Sequence, residues 1–463
     1  MAKKRITTVL AGLCTLCTTL SFIPNPATAE TLESAMISAY LSNPTLSAQR
    51  ASVRASDEAV VQAVSNWRPT VEFSASSGVE VNESSLRTGS GKKQTRNPSS
   101  FGIDLSQPLF RGGRTEAETS GAENTVKADR ARLTSIEQDI LLSAATAYLD
   151  VYRDEAVLDL NRNNEAVLIR QLEATQDRFQ VGEITRTDVH QAEARLANTT
   201  ADRIQSEATL ASSWATYQNV IGNPPTKGLK LPPFPSGAPD SSEAAIKEAA
   251  LNNPDVIAAQ YDERAAIDSI DTIWGELLPE VEFTASANRN LNSASESSTI
   301  DSYDALINLT VPLYQSGSVY SRLRESKQSA AESRLRVDLQ RRNAAELASR
   351  SWETLQSAKA RVTSFRTAIK AATIAFEGVE REAAVGSRTV LDVLDAEQEL
   401  LDARVSFIRA QRDESVTMYE LLSAMGKLTA HHLQLPVELY DPESHYQEIR
   451  DLWMGENSTG GLE

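Results

Sequence analysis

The chain has 463 residues, 41% of them hydrophobic, and sets 46 Lys and Arg against 63 Asp and Glu for a net charge of −17. That composition supports a packed core and lacks the basic excess of a nucleic-acid binder. A mean hydropathy of −0.33 excludes a bundle of membrane-spanning helices but leaves a β-barrel open, because barrel strands carry a much weaker signal.

Residues 1–29 read as an export signal. Lys3, Lys4 and Arg5 precede an apolar stretch from Ile6 to Ile23, broken by Pro24 and Pro26, and Ala27-Thr28-Ala29 supplies small residues before a cut at Glu30. The alternative, a membrane anchor, fits poorly with so short an apolar core. Loss of the three basic residues would take the net charge from −17 to −20. Both cysteines, Cys14 and Cys17, lie in this segment, so the mature chain is expected to carry no disulfide, no thiolate chemistry and no lipid at its first residue.

The rest of the sequence is duplicated. Asn43-Pro44 returns as Asn253-Pro254, and Pro69 to Phe73 returns as Pro279 to Phe283, both 210 residues on. Pro108-Leu109-Phe110, Val181-Gly182 and Asp188-Val189 return as Pro312-Leu313-Tyr314, Val385-Gly386 and Asp392-Val393, 204 residues on. Such collinear matches define a first repeat at 30–222 and a second at 241–428. The connector, 223–240, holds six of the 17 prolines and reads as extended. A tail, 429–463, either wraps the helices or is disordered.

Each repeat runs in one order: a shorter helical segment, two strands, and two long helices. Val71, Phe73 and Ala75 alternate with polar residues, as do Ile103 and Leu105, then Val281, Phe283 and Ala285, then Ile307, Leu309 and Val311. This period-two pattern predicts strands near 69–82, 100–111, 278–290 and 303–314, each with one apolar face. The intervening loops are polar. Gly89-Ser90-Gly91-Lys92 in the first lacks the spacing and context of a phosphate loop. No Gly or Pro interrupts the chain between Gly121 and Gly182 or between Gly317 and Gly378, enough for helices of roughly 90 Å at 1.5 Å per residue. Leu355, Ala358, Val362, Phe365, Ile369, Ala372, Phe376 and Val379 follow a 3-4 spacing, a coiled-coil seam. Val181-Gly182 and Val385-Gly386 read as turns at the tips of two helical hairpins.

Four strands cannot enclose a channel, since about eight are needed merely to fill a small barrel with side chains. If these strands enter lipid, several chains must share one barrel, with the helices projecting as a second tube. The alternative is a soluble periplasmic coiled-coil adaptor or scaffold with a small sheet. An enzyme is not expected. His190, His431, His432 and His445 form no His-Glu-x-x-His pattern, no Gly-x-Ser-x-Gly elbow is present, and Trp67, Trp352 and Tyr148 read as packing aromatics. No cofactor or metal is expected.

Three stretches resemble the TolC family of outer-membrane efflux and secretion channels: Glu30 through Tyr40-Leu41-Ser42-Asn43-Pro44, Gln107-Pro108-Leu109-Phe110 with Gly112-Gly113, and Val385-Gly386-Ser387-Arg388-Thr389-Val390-Leu391-Asp392-Val393-Leu394-Asp395-Ala396. The likeness runs from Glu30 to about Leu428 and includes the duplication; without a lipid-bearing Cys it favours the TolC branch. The resemblance implies a mostly α fold with β-strands, assembled as a homotrimer with a 12-stranded barrel in outer-membrane lipid and a 12-helix periplasmic tunnel. It also implies work with a periplasmic adaptor and an inner-membrane ABC or RND-type transporter, passing drugs or proteins outward.

By the same resemblance, Arg388 with Thr187 and Asp188 are candidates for the links that close the tunnel. The family often places an aromatic hydroxyl where this chain has Ala383, and Arg186 is a candidate to compensate. Asp392 and Asp395 match an acidic entrance ring, whose like charges would raise one another's pKa. Asp392 could instead face solvent or cap its helix. Val181, Gly182, Val385, Gly386 and Ser387 match the tips that an adaptor grips.

Overall fold

The computed structural model describes residues 31–83, 93–235, 237–295 and 297–455. The signal segment, the Gly89–Lys92 loop and the last eight residues of the tail lie outside them. The described elements are α1 (Leu32–Ser42), α2 (Pro44–Ser65), β1 (Thr70–Ser77), β2 (Glu80–Glu83), β3 (Lys93–Arg96), β4 (Ser99–Arg111), α3 (Arg114–Gln180) and α4 (Arg186–Ile221), followed by α5 (Ser242–Asn252), α6 (Pro254–Gly275), β5 (Glu280–Leu291), β6 (Thr299–Thr310), α7 (Ser318–Ala384), α8 (Val390–Ala424) and α9 (Ser444–Ile449). The two repeats thus share one element order, with two departures. The first repeat carries an additional hairpin, β2–β3, and α9 belongs to the tail.

The long helices α3 and α7 each hold 67 residues, about 100 Å at 1.5 Å per residue. They exceed the Gly-free and Pro-free stretches because α3 runs through Gly121 and α7 through Gly378. One interior Gly costs only about 1 kcal/mol relative to Ala, and the packing at Gly121 does not require it, since a Cβ there would meet Asp268 of α6 at an ordinary contact distance of 3.5 Å. Gly113 and Gly317 start these helices in the left-handed region, at φ 78° and 76°. All the expected seam residues of α7 are buried or half-buried, with Leu355, Ala358, Val362 and Ala372 in its buried set.

The partners of α3 and α7 are only about half as long. α4 pairs with α3, and α8 with α7, over the halves that end in the tips; α2 and α6 cover the halves nearer the sheet. The joints explain the repeated Asn-Pro motif. Asn43 caps α2 by accepting from the Thr45 amide at 2.9 Å, and its side-chain nitrogen donates to the Val220 carbonyl in the last turn of α4 at 3.0 Å. Asn253 does the same between Asp255 and Ala424, at 3.0 and 3.1 Å. Pro44 and Pro254 occupy the first helical position, where a missing N–H is harmless. One side chain therefore satisfies the end of one helix and the start of the next.

A core around these joints unites Met36, Tyr40, Leu141, Tyr148, Tyr217, Ile221, Leu421 and Met425. The Tyr148 hydroxyl donates to the Lys230 carbonyl at 2.9 Å, fastening the Pro-rich connector to α3. From Tyr440 to Leu452 the tail is tied to the helices instead of running free. Tyr440 N–H donates to the Tyr40 hydroxyl, Arg130 pairs with Glu443 at 3.1 Å, and His445 meets the fully buried Asp57 at 3.1 Å.

Candidate functional site

The sheet comes first. Its order is β1-β4-β5-β6, antiparallel throughout. The register aligns the apolar residues of all four strands across one face: Val71 with Leu105, Phe73 with Ile103, Ile103 with Ala287, Phe283 with Ile307, and Val281 with Leu309. A bulge between Pro108 and Phe110 brings Phe110 opposite Val281 and onto that face. The other face presents Glu72, Ser74, Gly102, Asp104, Ser286, Asn288, Asp304 and Asn308, interrupted by Ile300 and Leu306. Ordinary packing would cover the apolar face, yet Val71, Phe73, Ile307 and Leu309 are 64–70% exposed. Arg289 and Asp301, paired at 2.8 Å, end the apolar band. Twelve residues of β5 rise about 40 Å, and a tilt near 40° brings that to the ~30 Å of a bilayer core. No helix among the described residues is long and apolar enough to cross a membrane.

At the far end are the tips. After α3, Gly182 takes φ 80° and donates to the Phe179 carbonyl at 2.9 Å; after α7, Gly386 takes φ 81° and donates to the Ala383 carbonyl at 3.0 Å. Only a residue comfortable at positive φ suits these turns. Val181 and Val385 are 79% and 81% exposed. Ser387 folds back, donating from amide and hydroxyl to the Glu382 carbonyl at 3.0 and 2.8 Å.

The next helices open with matching capping boxes. Asp188 accepts from the amide and hydroxyl of Thr185 at 2.9 and 2.8 Å, and Asp392 accepts from those of Thr389 at the same distances. The Thr389 amide and hydroxyl, with Arg388 nearby, hold the Asp392 carboxyl below the usual carboxylate range. Within the protomer, then, Asp392 caps its helix, as the alternative reading of this residue had it. The Thr-x-x-Asp spacing was the readable signal.

Within one protomer, the expected Arg388 link to Thr187 and Asp188 is not formed. Arg388 pairs with Glu382 at 2.9 Å, Thr187 is exposed, and Arg186 reaches His190 at 3.3 Å instead of Asp188. Ala383 contributes a turn carbonyl. Two bonds join the hairpins, and sequence reading missed both: Arg412 of α8 donates to Asp150 of α3 at 2.7 Å, and nearer the tips Arg195 of α4 donates to Asp395 of α8. Arg195 and Asp395 are 200 positions apart, and no motif announces the pair. Asp392 and Asp395 do share the first turns of α8, so both acidic candidates sit at this end of the molecule.

A sheet with one lipid-suited face, continued by helices about 100 Å long that end in tight glycine turns, defines a subunit of an outer-membrane exit channel. The family model described as outer membrane efflux protein matches residues 37–223 and again 245–427. The chain is 35% identical over 439 residues to the outer membrane efflux protein BepC of Brucella suis, covering 94% of each. It is 26% identical to the outer membrane protein TolC of Vibrio cholerae, over 82% of this chain and 88% of that one. The Campylobacter jejuni CmeC outer membrane channel shares the fold, with a TM-score of 0.75 at 14% identity over 92% and 94% of the two chains. The chain belongs to the outer membrane efflux protein family, the TolC family of channels, which are not enzymes. The soluble adaptor reading is thereby set aside.

Proposed function

We propose that three copies of this chain form one exit duct for a tripartite efflux pump or a type I secretion system. The observation that carries this is the sheet: four strands with aligned apolar and polar faces, ending in β1 and β6 at its two edges. In lipid an open edge is untenable, so each β1 must pair with the β6 of another copy, and three copies supply a twelve-stranded barrel. Apolar residues then face lipid and the carboxylates and serines face the lumen.

The helices continue that duct through the periplasm toward an inner-membrane ABC or RND-type transporter. Arg388, Thr187, Asp188 and Arg186 serve the closure of the inner end through contacts between copies, and the Arg195–Asp395 pair ties the two hairpins of each copy. Asp392 and Asp395 from three copies ring the opening and concentrate cations there. Val181, Gly182, Val385, Gly386 and Ser387 meet the helical hairpin of a periplasmic adaptor, because they are the exposed ends of otherwise self-satisfied turns. The test is electrical. Asp392→Ala combined with Asp395→Ala should raise single-channel conductance and weaken block by multivalent cations, and unchanged currents would remove the ring assignment. Ser387→Cys should crosslink to the adaptor in intact cells.

A further inference from the structure

We propose that the Leu452-Trp453-Met454 segment of the tail is a membrane-interface anchor that docks on the phospholipids of the inner leaflet of the same outer membrane. The proposal rests on the barrel reading and extends the lipid-contacting surface below it.

The tail climbs α2 toward the sheet. Its contacts ascend in order, from Tyr440 beside Tyr40, through Glu443 and His445 on Arg130 and Asp57, to Tyr446 donating to Glu123 at 3.1 Å. At the top, Arg68 donates to the Leu452 carbonyl at 2.6 Å and lays its guanidinium 5.1 Å from the Trp453 ring. Arg68 lies two residues before β1, so Trp453 is held at the level where the chain enters the sheet.

That level already carries an apolar collar. Trp67, Trp274, Leu313 and Tyr314, all at junctions between helix and strand, are 36%, 50%, 93% and 83% exposed. Trp and Tyr at the ends of a lipid-facing band settle at the headgroup boundary, with the ring in the acyl region and the polar edge in water. Trp453 and Met454 add 66% and 91% exposed side chains to this collar. Up to Ile449, which is buried, the tail's apolar and aromatic groups rest on the helices except Leu439; the apolar pair that follows faces outward. Asp451 and Glu448 beside them disfavour deep insertion and an anionic surface, which suits a shallow seat among zwitterionic headgroups.

The test uses the absence of cysteine from residues 30–463. A nitroxide at Met454→Cys, in protein reconstituted into phosphatidylethanolamine-rich vesicles, is compared with nitroxides at Ile103→Cys on the apolar barrel face and Ser387→Cys at the tip. An oxygen-to-nickel-chelate accessibility ratio at position 454 below that at 103 but at least about twofold above that at 387 is expected for an interfacial anchor. Arg68→Ala should lower the ratio at 454 toward the aqueous value while leaving 103 unchanged. A ratio at 454 equal to that at 387 overturns the anchor, as does a label shielded from both reagents, which would mean that a neighbouring copy covers it. A water-like ratio at 103 would instead sink the barrel reading.

Discussion

Arg195→Ala removes the bond between the two hairpins of one copy that lies nearest the tips, leaving the Arg412–Asp150 bond in place. The Arg195 and Asp395 side chains are 29% and 59% exposed, so each pair is screened and contributes about 0.2–1 kcal/mol. Three copies that open together multiply this to roughly 0.6–3 kcal/mol in favour of the shut tunnel, and at about 1.4 kcal/mol per decade the open fraction should rise between about threefold and a hundredfold. The assay is open probability in planar bilayers, with assembly checked by the heat-sensitive mobility of the trimer. Asp395→Asn should produce a similar rise, and the double substitution little more, because both remove one bond. Conductance separates this from the ring effect, since Arg195→Ala leaves Asp395 uncompensated and increases cation attraction. An assembled Arg195→Ala channel with the parent open probability would refute the argument, as would fully additive effects.

Asn253→Ala should lower stability by about 2 kcal/mol, from a lost helix cap and a stranded carbonyl at Ala424, read as a fall in melting temperature with the trimer still formed at low temperature. Glu137→Gln should do the reverse. Burial raises the Glu137 carboxyl above its ordinary value despite the Ala430 amide that donates to it at 2.7 Å. A raised folded pKa means stability that is full in acid and lost as pH climbs through that value. The amide isostere keeps the acceptor, so the variant should melt higher than the parent near neutral pH and equal to it below the carboxylate range.

The parts of the fold set by short periods were readable in advance. The apolar alternation of Val71–Ala75 and Val281–Ala285, the seam from Leu355 to Val379, and the duplication marked by two Asn-Pro pairs all survive in the structure. What escaped was what needs the third dimension. The Asn-Pro pairs read as a repeat marker, and their work as joints depends on carbonyls of Val220 and Ala424, over 170 residues away. Nothing local separates a 67-residue helix from two stacked pieces, so the half-length of α4 and α8 was not foreseen. At the tips the glycines were legible because the turns demand positive φ, and the Thr-x-x-Asp caps were legible but read as gate and ring residues. The Arg388–Glu382 and Arg195–Asp395 pairs were not, because any of the many charged residues along these helices could have met across that gap. The hairpin β2–β3, four residues per strand, was too short and polar to stand out.

The central claim is that strands from separate copies close one barrel. The mass of the detergent-extracted outer-membrane particle, measured by light scattering with the detergent contribution removed, tests this most directly. Three chains per particle is the expected result. A single chain, or a pair whose strands could do no more than fill their own interior, would contradict it.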